Sequence, residues 1–270
     1  MTTLTPARNS RRRPLTALAK AEYLQFRRNK TLVWMALFFP VGISLSMYSI
    51  ATRHDAPTAS TVAMTFELIA LVALLFVQYY SVLSMVTTRR GEGVLKRLRT
   101  GEAADWQIQT APAVPGALVT IASVLVVAAV VYGTGAPAPV NPLAIGLGIV
   151  GGIVLFSLLA LATSAVTKNA EAAQITSLPV ITVAMLGVAS FRGALPDRLA
   201  EPADWTPFAA ISDLVSLGAA GRTATAADTE QALDFAGTFG ELGRPFATLA
   251  IWTALAFVLT RKSFRWDDRG

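Results

Sequence analysis

The sequence contains no cysteine, a single histidine and few charged residues. Without cysteine, disulfides, thiol nucleophiles and thiolate metal sites are excluded. With His54 as the one histidine, a His-rich metal site is excluded and a Ser-His-Asp hydrolase centre is disfavoured. Charged residues make up 15% of the 270 residues, which is too few to cover the surface of a soluble domain of this length.

Apolar residues are abundant and occur in long blocks. They make up 53% of the sequence, and the mean hydropathy is +0.52. A helix that crosses a bilayer needs about 20 mostly apolar residues, and six stretches meet this need. These stretches are residues 31–50, 61–87, 111–132, 143–166, 172–190 and 245–260. Because they lack the alternation of β-strands, the sequence predicts an all-α membrane protein with six transmembrane helices. Pro179 predicts a kink in the fifth.

The basic residues are divided unevenly between the two sides of this predicted transmembrane domain, residues 31–270. Eighteen of the 23 Lys and Arg residues lie in four segments on one side. These are the segment 1–30, the loop after span two, the short loop after span four and the tail 261–270. Short cytoplasmic loops carry the positive excess, so both termini are predicted to be cytoplasmic. The net charge of +6 therefore indicates contact with anionic lipid, and nucleic acid is not an expected partner.

Two segments outside the predicted spans are expected to be structured. Residues 15–30 can form an interfacial amphipathic helix that leads into the first span, with basic residues at its end. Residues 191–244 form an external segment between spans five and six, which is too long for a simple loop. The apolar run 211–215 predicts a short helix near the outer leaflet.

The loop after span two has the most distinctive pattern in the chain. In a helix, Val94, Leu95 and Leu98 share one face through i+3 and i+4 spacing, while the basic side chains point elsewhere. Glycines on both sides of this stretch predict a short helix with flexible ends. A loop that lies on the lipid and only sets the topology fits the same periodicity. The candidate residues of this segment are Arg90, Glu92, Gly93, Val94, Leu95, Lys96, Arg97, Leu98 and Arg99.

Residues 90–98, Arg-Gly-Glu-Gly-Val-Leu-Lys-Arg-Leu, resemble a segment of the ABC-2 type permeases, the membrane subunits of many bacterial ABC exporters. Those proteins carry a segment close to Arg-Arg/Glu-Glu-Gly-Thr-Leu-Lys/Glu-Arg-Leu at this place. Gly91 and Val94 depart from the pattern, as do residues 100–102, where Thr-Pro often follows in the family. The six-span layout and a Leu-Pro…Trp-x-Pro pattern at 195–207 extend the resemblance over nearly the whole chain.

The resemblance implies a transport subunit of the bacterial inner membrane that is not itself an enzyme. The short helix would be the coupling helix that docks into a cytoplasmic ATP-binding cassette subunit, present in two copies, which binds ATP and Mg²⁺. A second permease subunit would complete a homodimer or heterodimer, with spans two and five near the central path. The sequence itself has no Gly-x-x-x-x-Gly-Lys-Ser/Thr phosphate loop, so no cofactor site is expected in this chain.

Three residues of span two are candidates for a substrate path. Glu67 is the one acidic residue inside a predicted span, although it lies close enough to the outer end to reach headgroup water. Gln78 and Tyr79 lie deeper, where helix packing explains them equally well. The leading hypothesis is an exporter permease for a hydrophobic or amphipathic small molecule, such as an antibiotic or a lipid. A polysaccharide or glycolipid exporter, a proton-coupled carrier, an intramembrane enzyme and a membrane scaffold are the alternatives.

Overall fold

A computed structural model describes residues 13–28, 30–227 and 229–267. Within these ranges every element of regular structure is helical, as the all-α prediction requires. The helices are α1 (Arg13–Arg28), α2 (Lys30–Ala51), α3 (Ala59–Val72), a π-helical segment (Ala73–Tyr80), α4 (Ser81–Gly91), α5 (Val94–Arg99), α6 (Asp105–Thr110), α7 (Ala113–Gly133), α8 (Pro142–Ser164), α9 (Ala173–Thr176), α10 (Leu178–Leu186), α11 (Ala189–Ala194), α12 (Asp197–Asp204), α13 (Pro207–Ala220), α14 (Thr238–Glu241) and α15 (Gly243–Ser263). The first 12 residues of the predicted cytoplasmic tail lie outside the described residues.

Four helical stretches of the described chain are long and apolar enough to cross a bilayer. They correspond to predicted spans two, three, four and six. The longest contains 33 residues and joins α3, the π-helical segment and α4 into one continuous helix. The four stretches are Ala59–Gly91, Ala113–Gly133, Pro142–Ser164 and Thr238–Ser263. Helices suit this setting because they satisfy their backbone hydrogen bonds internally.

Three shorter apolar helices complete the bundle. Ala36–Ala51, the apolar part of α2, occupies the place of predicted span one. Ala173–Leu186 occupies the place of predicted span five and is interrupted at Ser177, two residues before Pro179. At 1.5 Å per residue, this 14-residue stretch covers about 21 Å, less than the roughly 30 Å of a hydrocarbon core. The third is Pro207–Ala220, which is α13.

Helix α13 lies in the middle of the bundle. All of its 14 residues are buried, and it packs against α3, α8 and α15. A segment that the sequence places between spans therefore contributes a central helix. Phe208 and Ile211 of α13 join Phe66 and Phe156 in the buried core.

Small residues on α8 allow this close packing. A Cβ atom on Gly148 would lie 3.2 Å from the Cβ of Leu214 on α13, and one on Gly152 would lie 2.6 Å from Leu74 Cδ1. Apolar surface gives helices little reason to associate in lipid, so close backbone approach at small residues matters more. Gly148 and Gly152 therefore lie where α8 approaches its neighbours most closely.

Candidate functional site

Helix α5 follows the long α3–α4 helix after a tight turn at Gly93. Gly93 has φ of +67°, in the left-handed region that residues with a Cβ rarely adopt. The Arg97 side chain donates to the backbone carbonyl of Glu92 over 3.1 Å, which closes the turn. The sequence predicted a short helix here, and α5 spans Val94–Arg99.

The two sides of α5 differ in chemistry. Leu95 is 1% exposed and Leu98 and Val94 are partly buried, so the apolar side packs on the bundle. Lys96, Arg97 and Arg99 are exposed. The resemblance implies that α5 docks into a partner, but the Leu95 side chain already belongs to the core of this chain. Its basic side is the one presented to solvent.

Arginines at the end of α4 hold the loop in place. The Arg90 guanidinium is buried and donates to the carbonyl of Ser164 over 2.6 Å and to that of Thr167, at the end of α8. The last carbonyls of a helix have no partner within it, so these bonds cap α8. Arg89 forms an ion pair with Glu22 of α1. Arg90, one of the candidate residues of the coupling segment, therefore fixes the position of α5.

Glu67 lies near the opposite end of the α3–α4 helix. Its Oε1 accepts hydrogen bonds from the hydroxyl of Ser212 in α13 and, over 2.8 Å, from the backbone N–H of Ala189. Ala189 is the first residue of α11, where the backbone N–H has no partner within the helix. One carboxylate therefore joins three helices.

Next to this contact, Arg192 of α11 is almost completely buried. It forms ion pairs with Asp213 of α13 over 2.7 Å and with Asp204 of α12 over 2.9 Å. Arg244 pairs with the other oxygen of Asp204 over 2.6 Å. Burial acts to raise the pKa of Asp204, but hydrogen bonds and charge from Arg244 and Arg192 outweigh it and hold the pKa below its usual value. These ion pairs therefore join α11, α12, α13 and the start of α15.

A groove of 560 Å³ opens beside Glu67. Its walls come from α3, the start of α11, the end of α13 and residues 222–227. Met64, Leu68 and Leu71 provide apolar surface, and Glu67 and Ser212 provide polar groups. Such a mixture suits a molecule with apolar and polar parts. No group of three His, Cys, Asp or Glu side chains that could hold a metal ion occurs in the described part of the chain.

Residues 13–192 match the family model of the ABC-2 type transporters. The matched region runs from α1 to Arg192 and includes α5 and Glu67. It covers well over half of the sequence. The chain belongs to the ABC-2 type transporter family. None of the curated proteins compared matches it.

As an ABC-2 permease, the chain is a multi-pass membrane subunit of a family that lacks the ATPase domain. Such permeases generally work with ATP-binding cassette subunits, which bind the ATP. Helices α12 to α15 lie outside the matched region, so the buried α13 and the partners of Arg192 are described by the structure alone.

The three candidate residues for a substrate path differ in their surroundings. Gln78 and Tyr79 are fully buried. The Gln78 amide donates to Ser157 Oγ over 2.6 Å and to the carbonyl of Ala113 over 3.2 Å, joining the π-helical segment to α7 and α8. The Tyr79 hydroxyl donates to Thr163 Oγ1 of α8 over 3.2 Å. Glu67 is the candidate that lines a groove.

The residues that sequence reasoning missed are Arg192, Asp204 and Asp213. They lie in the predicted external segment, residues 191–244, which contains four Arg and eight Asp or Glu residues, so the sequence does not single out these three. The spacing of 12 and 21 residues gives no periodic pattern, so the pairing becomes visible only in the folded chain.

Proposed function

We propose that this permease exports a hydrophobic or amphipathic small molecule, such as an antibiotic or a lipid, with energy from ATP hydrolysed in a separate subunit. The observation that carries the proposal is the groove beside Glu67, which combines an apolar wall with a carboxylate and hydroxyl groups. In this proposal six segments cross the bacterial inner membrane and both termini are cytoplasmic. The four long apolar helices and the shorter α2 and α9–α10 supply the six segments.

The proposed coupling element is α5. Lys96, Arg97 and Arg99 are exposed on a helix whose other side is anchored by Leu95 and, through the preceding turn, by Arg90. A basic surface held in a fixed position suits an acidic cleft in the ATP-binding subunit. Complementary charge speeds association of the two subunits and fixes their relative orientation. Closure of two ATP-binding subunits would then move α5 and the helices attached to it as rigid bodies.

A second permease subunit would complete the path between spans two and five. Helix α10 supports this arrangement, because it packs mainly on α13 and leaves apolar side chains such as Leu178 exposed. Ile175 of α9 is 72% exposed on the same stretch. A second copy of this chain or a related permease would cover these side chains.

The coupling role is tested by charge reversal on α5. The permease is co-expressed with the ATP-binding subunit encoded nearest its gene, and the complex is purified by affinity and assayed for ATPase activity in lipid. The double variant Lys96→Glu/Arg97→Glu should lose co-purification and stimulated ATPase activity while inserting normally. Arg53→Glu, an exposed reversal elsewhere in the chain, is the matched control. Unchanged assembly of the α5 variant would refute the coupling role.

The substrate class is tested in vesicles that contain the assembled complex. Amphipathic fluorescent dyes and a short-chain fluorescent phospholipid should stimulate ATP hydrolysis and be transported, whereas a soluble oligosaccharide should do neither. Glu67→Gln keeps an oxygen acceptor for Ala189 and Ser212 and removes the charge, so it should slow transport several-fold without loss of assembly. Stimulation by the oligosaccharide alone would favour the polysaccharide exporter.

Transport that needs a pH gradient and no ATP would instead identify a proton-coupled carrier. In that case Glu67→Gln should abolish the dependence on the gradient. If transport by Glu67→Gln equals that of the unaltered protein for every compound and pH, Glu67 has no role in the path.

A further inference from the structure

The chain after α15 turns back and lies against α5. The last helix ends at Ser263, and Phe264 has extended backbone angles that redirect the chain. Phe264 and Trp266 are partly buried against the hydrophobic core. Their rings meet edge to face with centroids 4.9 Å apart, an arrangement that favours a fixed conformation. We call residues 264–267 the tail segment.

The tail segment makes two contacts with the basic side of α5. The guanidinium of Arg99 stands 4.8 Å from the centre of the Trp266 ring, within the range of a cation–π interaction. Lys96 Nζ lies 4.0 Å from a carboxylate oxygen of Asp267. This second contact is exposed and contributes little energy by itself, so the position of the tail segment rests on its aromatic side chains.

The aromatic rings and the basic side of α5 form one continuous surface. Lys96, Arg97 and Arg99 are exposed, as is Arg265, and the Trp266 ring is only partly covered. Trp and Arg side chains are enriched among the residues that dominate binding energy in protein interfaces. The combination of a rigid aromatic side chain and several cations is that of a binding face for a protein with an acidic, partly apolar cleft.

The bilayer does not account for this surface. Helix α15 has 21 residues and is about 31 Å long, which already matches the thickness of a hydrocarbon core. The basic residues Arg261 and Lys262 at its end suit the headgroup region. The tail segment follows them and contacts α5, which lies in the predicted cytoplasmic loop. Asp267 would be repelled by anionic lipid.

We propose that the tail segment is the second half of the docking surface for the ATP-binding cassette subunit, with Trp266 entering the cleft beside α5. This inference rests on the proposed docking of α5. It adds a contact from the opposite end of the chain, so that the last span and the α3–α4 helix engage the same partner. Movement of that partner would then reach two helices of the bundle directly.

The test measures the affinity of the purified ATP-binding subunit for the permease in lipid nanodiscs. Trp266→Ala should weaken binding about tenfold or more, and Arg99→Gln should weaken it less. The double variant should lose less than the product of the two factors, because the residues act as a pair. Phe257→Ala, an exposed ring earlier on α15, is the matched control and should bind normally.

Separate results distinguish failure of this inference from failure of the coupling role. If Lys96→Glu/Arg97→Glu abolishes binding and Trp266→Ala changes it less than twofold, the tail segment is not part of the docking surface and α5 remains so. If neither variant changes binding, both proposals are wrong.

A photo-crosslinking residue at position 267 provides a readout that does not depend on the folding of a Trp266 variant. It leaves the aromatic contacts intact, since Asp267 is exposed. Crosslinks to the ATP-binding subunit are expected in the complex. Crosslinks to lipid alone, with the complex intact, would assign the segment to the membrane surface and overturn the proposal.

Discussion

The guanidinium of Arg90 lies 2.6 Å from the backbone carbonyl oxygen of Ser164, 74 positions later in the sequence. It thereby connects the end of the α3–α4 helix to the end of α8. The same side chain also donates to Thr167. Since α5 begins four residues after Arg90, this cap determines where the basic side of α5 stands relative to the bundle.

Arg90→Ala should therefore destabilise the protein. The substitution removes a charged donor from the buried carbonyl groups of Ser164 and Thr167, which costs about 1–3 kcal/mol. We expect a lower thermal midpoint in detergent, measured by loss of the monodisperse peak on size-exclusion chromatography, and weaker stimulation of the ATP-binding subunit. Arg53→Ala, at an exposed position, should leave both unchanged. Equal midpoints for the two variants would show that the cap contributes nothing.

Arg192→Met should be among the most damaging single changes in the chain. It leaves Asp213 buried without its cation, and breaking a buried ion pair from one side costs about 3–5 kcal/mol. Combining it with Asp213→Leu should recover part of the loss, because no uncompensated charge then remains at that site. Thermal unfolding of the single and double variants measures this difference. Arg198→Met, at an exposed position, is the control.

Asp204 should make stability depend on pH in the acidic range. Its pKa is held below the usual value by Arg244 and Arg192, so its ionised form stabilises the fold. That contribution is complete above the unfolded pKa of about 3.9 and is lost as the pH falls through the lower folded value. The thermal midpoint should drop as the pH falls below about 4, and Asp204→Asn should show a smaller drop. Parallel curves for the two proteins would contradict this assignment.

Gly218→Ala should disturb the packing of α13 against Asn141 and Ile145. The added Cβ would come within 2.7 Å of the Asn141 carbonyl and 2.8 Å of the Ile145 backbone nitrogen, neither of which can move alone. Overpacking of this kind costs about 1–3 kcal/mol. Gly146→Ala provides a matched control near the same contact, since a Cβ there meets no atom within 4 Å. The Gly218 variant should show the lower midpoint and faster limited proteolysis of residues 221–237.

The sequence predicts the long helices well because each apolar run is a local property. The same holds for α5, whose glycines and i+3 spacing are visible within ten residues. The apolar side of α5 was also identified, but whether Leu95 faces a partner or its own bundle depends on the position of other helices. That position is set by contacts such as Arg90 with Ser164, far apart in the sequence.

The buried position of α13 and the tail contact were missed for a related reason. Residues 207–220 have too few apolar residues for a span, so hydropathy places them outside the membrane. Their burial depends on the small residues of α8 and on pairing of Asp213 with Arg192. Trp266 gave no signal, because aromatic residues in a basic tail are typical of a membrane border.

The location of α13 also constrains the order in which the protein is made. Two of its neighbours, α3 and α8, precede it in the chain, whereas α15 follows it. Because synthesis proceeds from the N-terminus, the cavity that holds α13 has one wall missing until α15 has been synthesised. Helix α13 therefore reaches its final environment only after α15 has been made, and a chain truncated before α15 would leave one side of α13 uncovered.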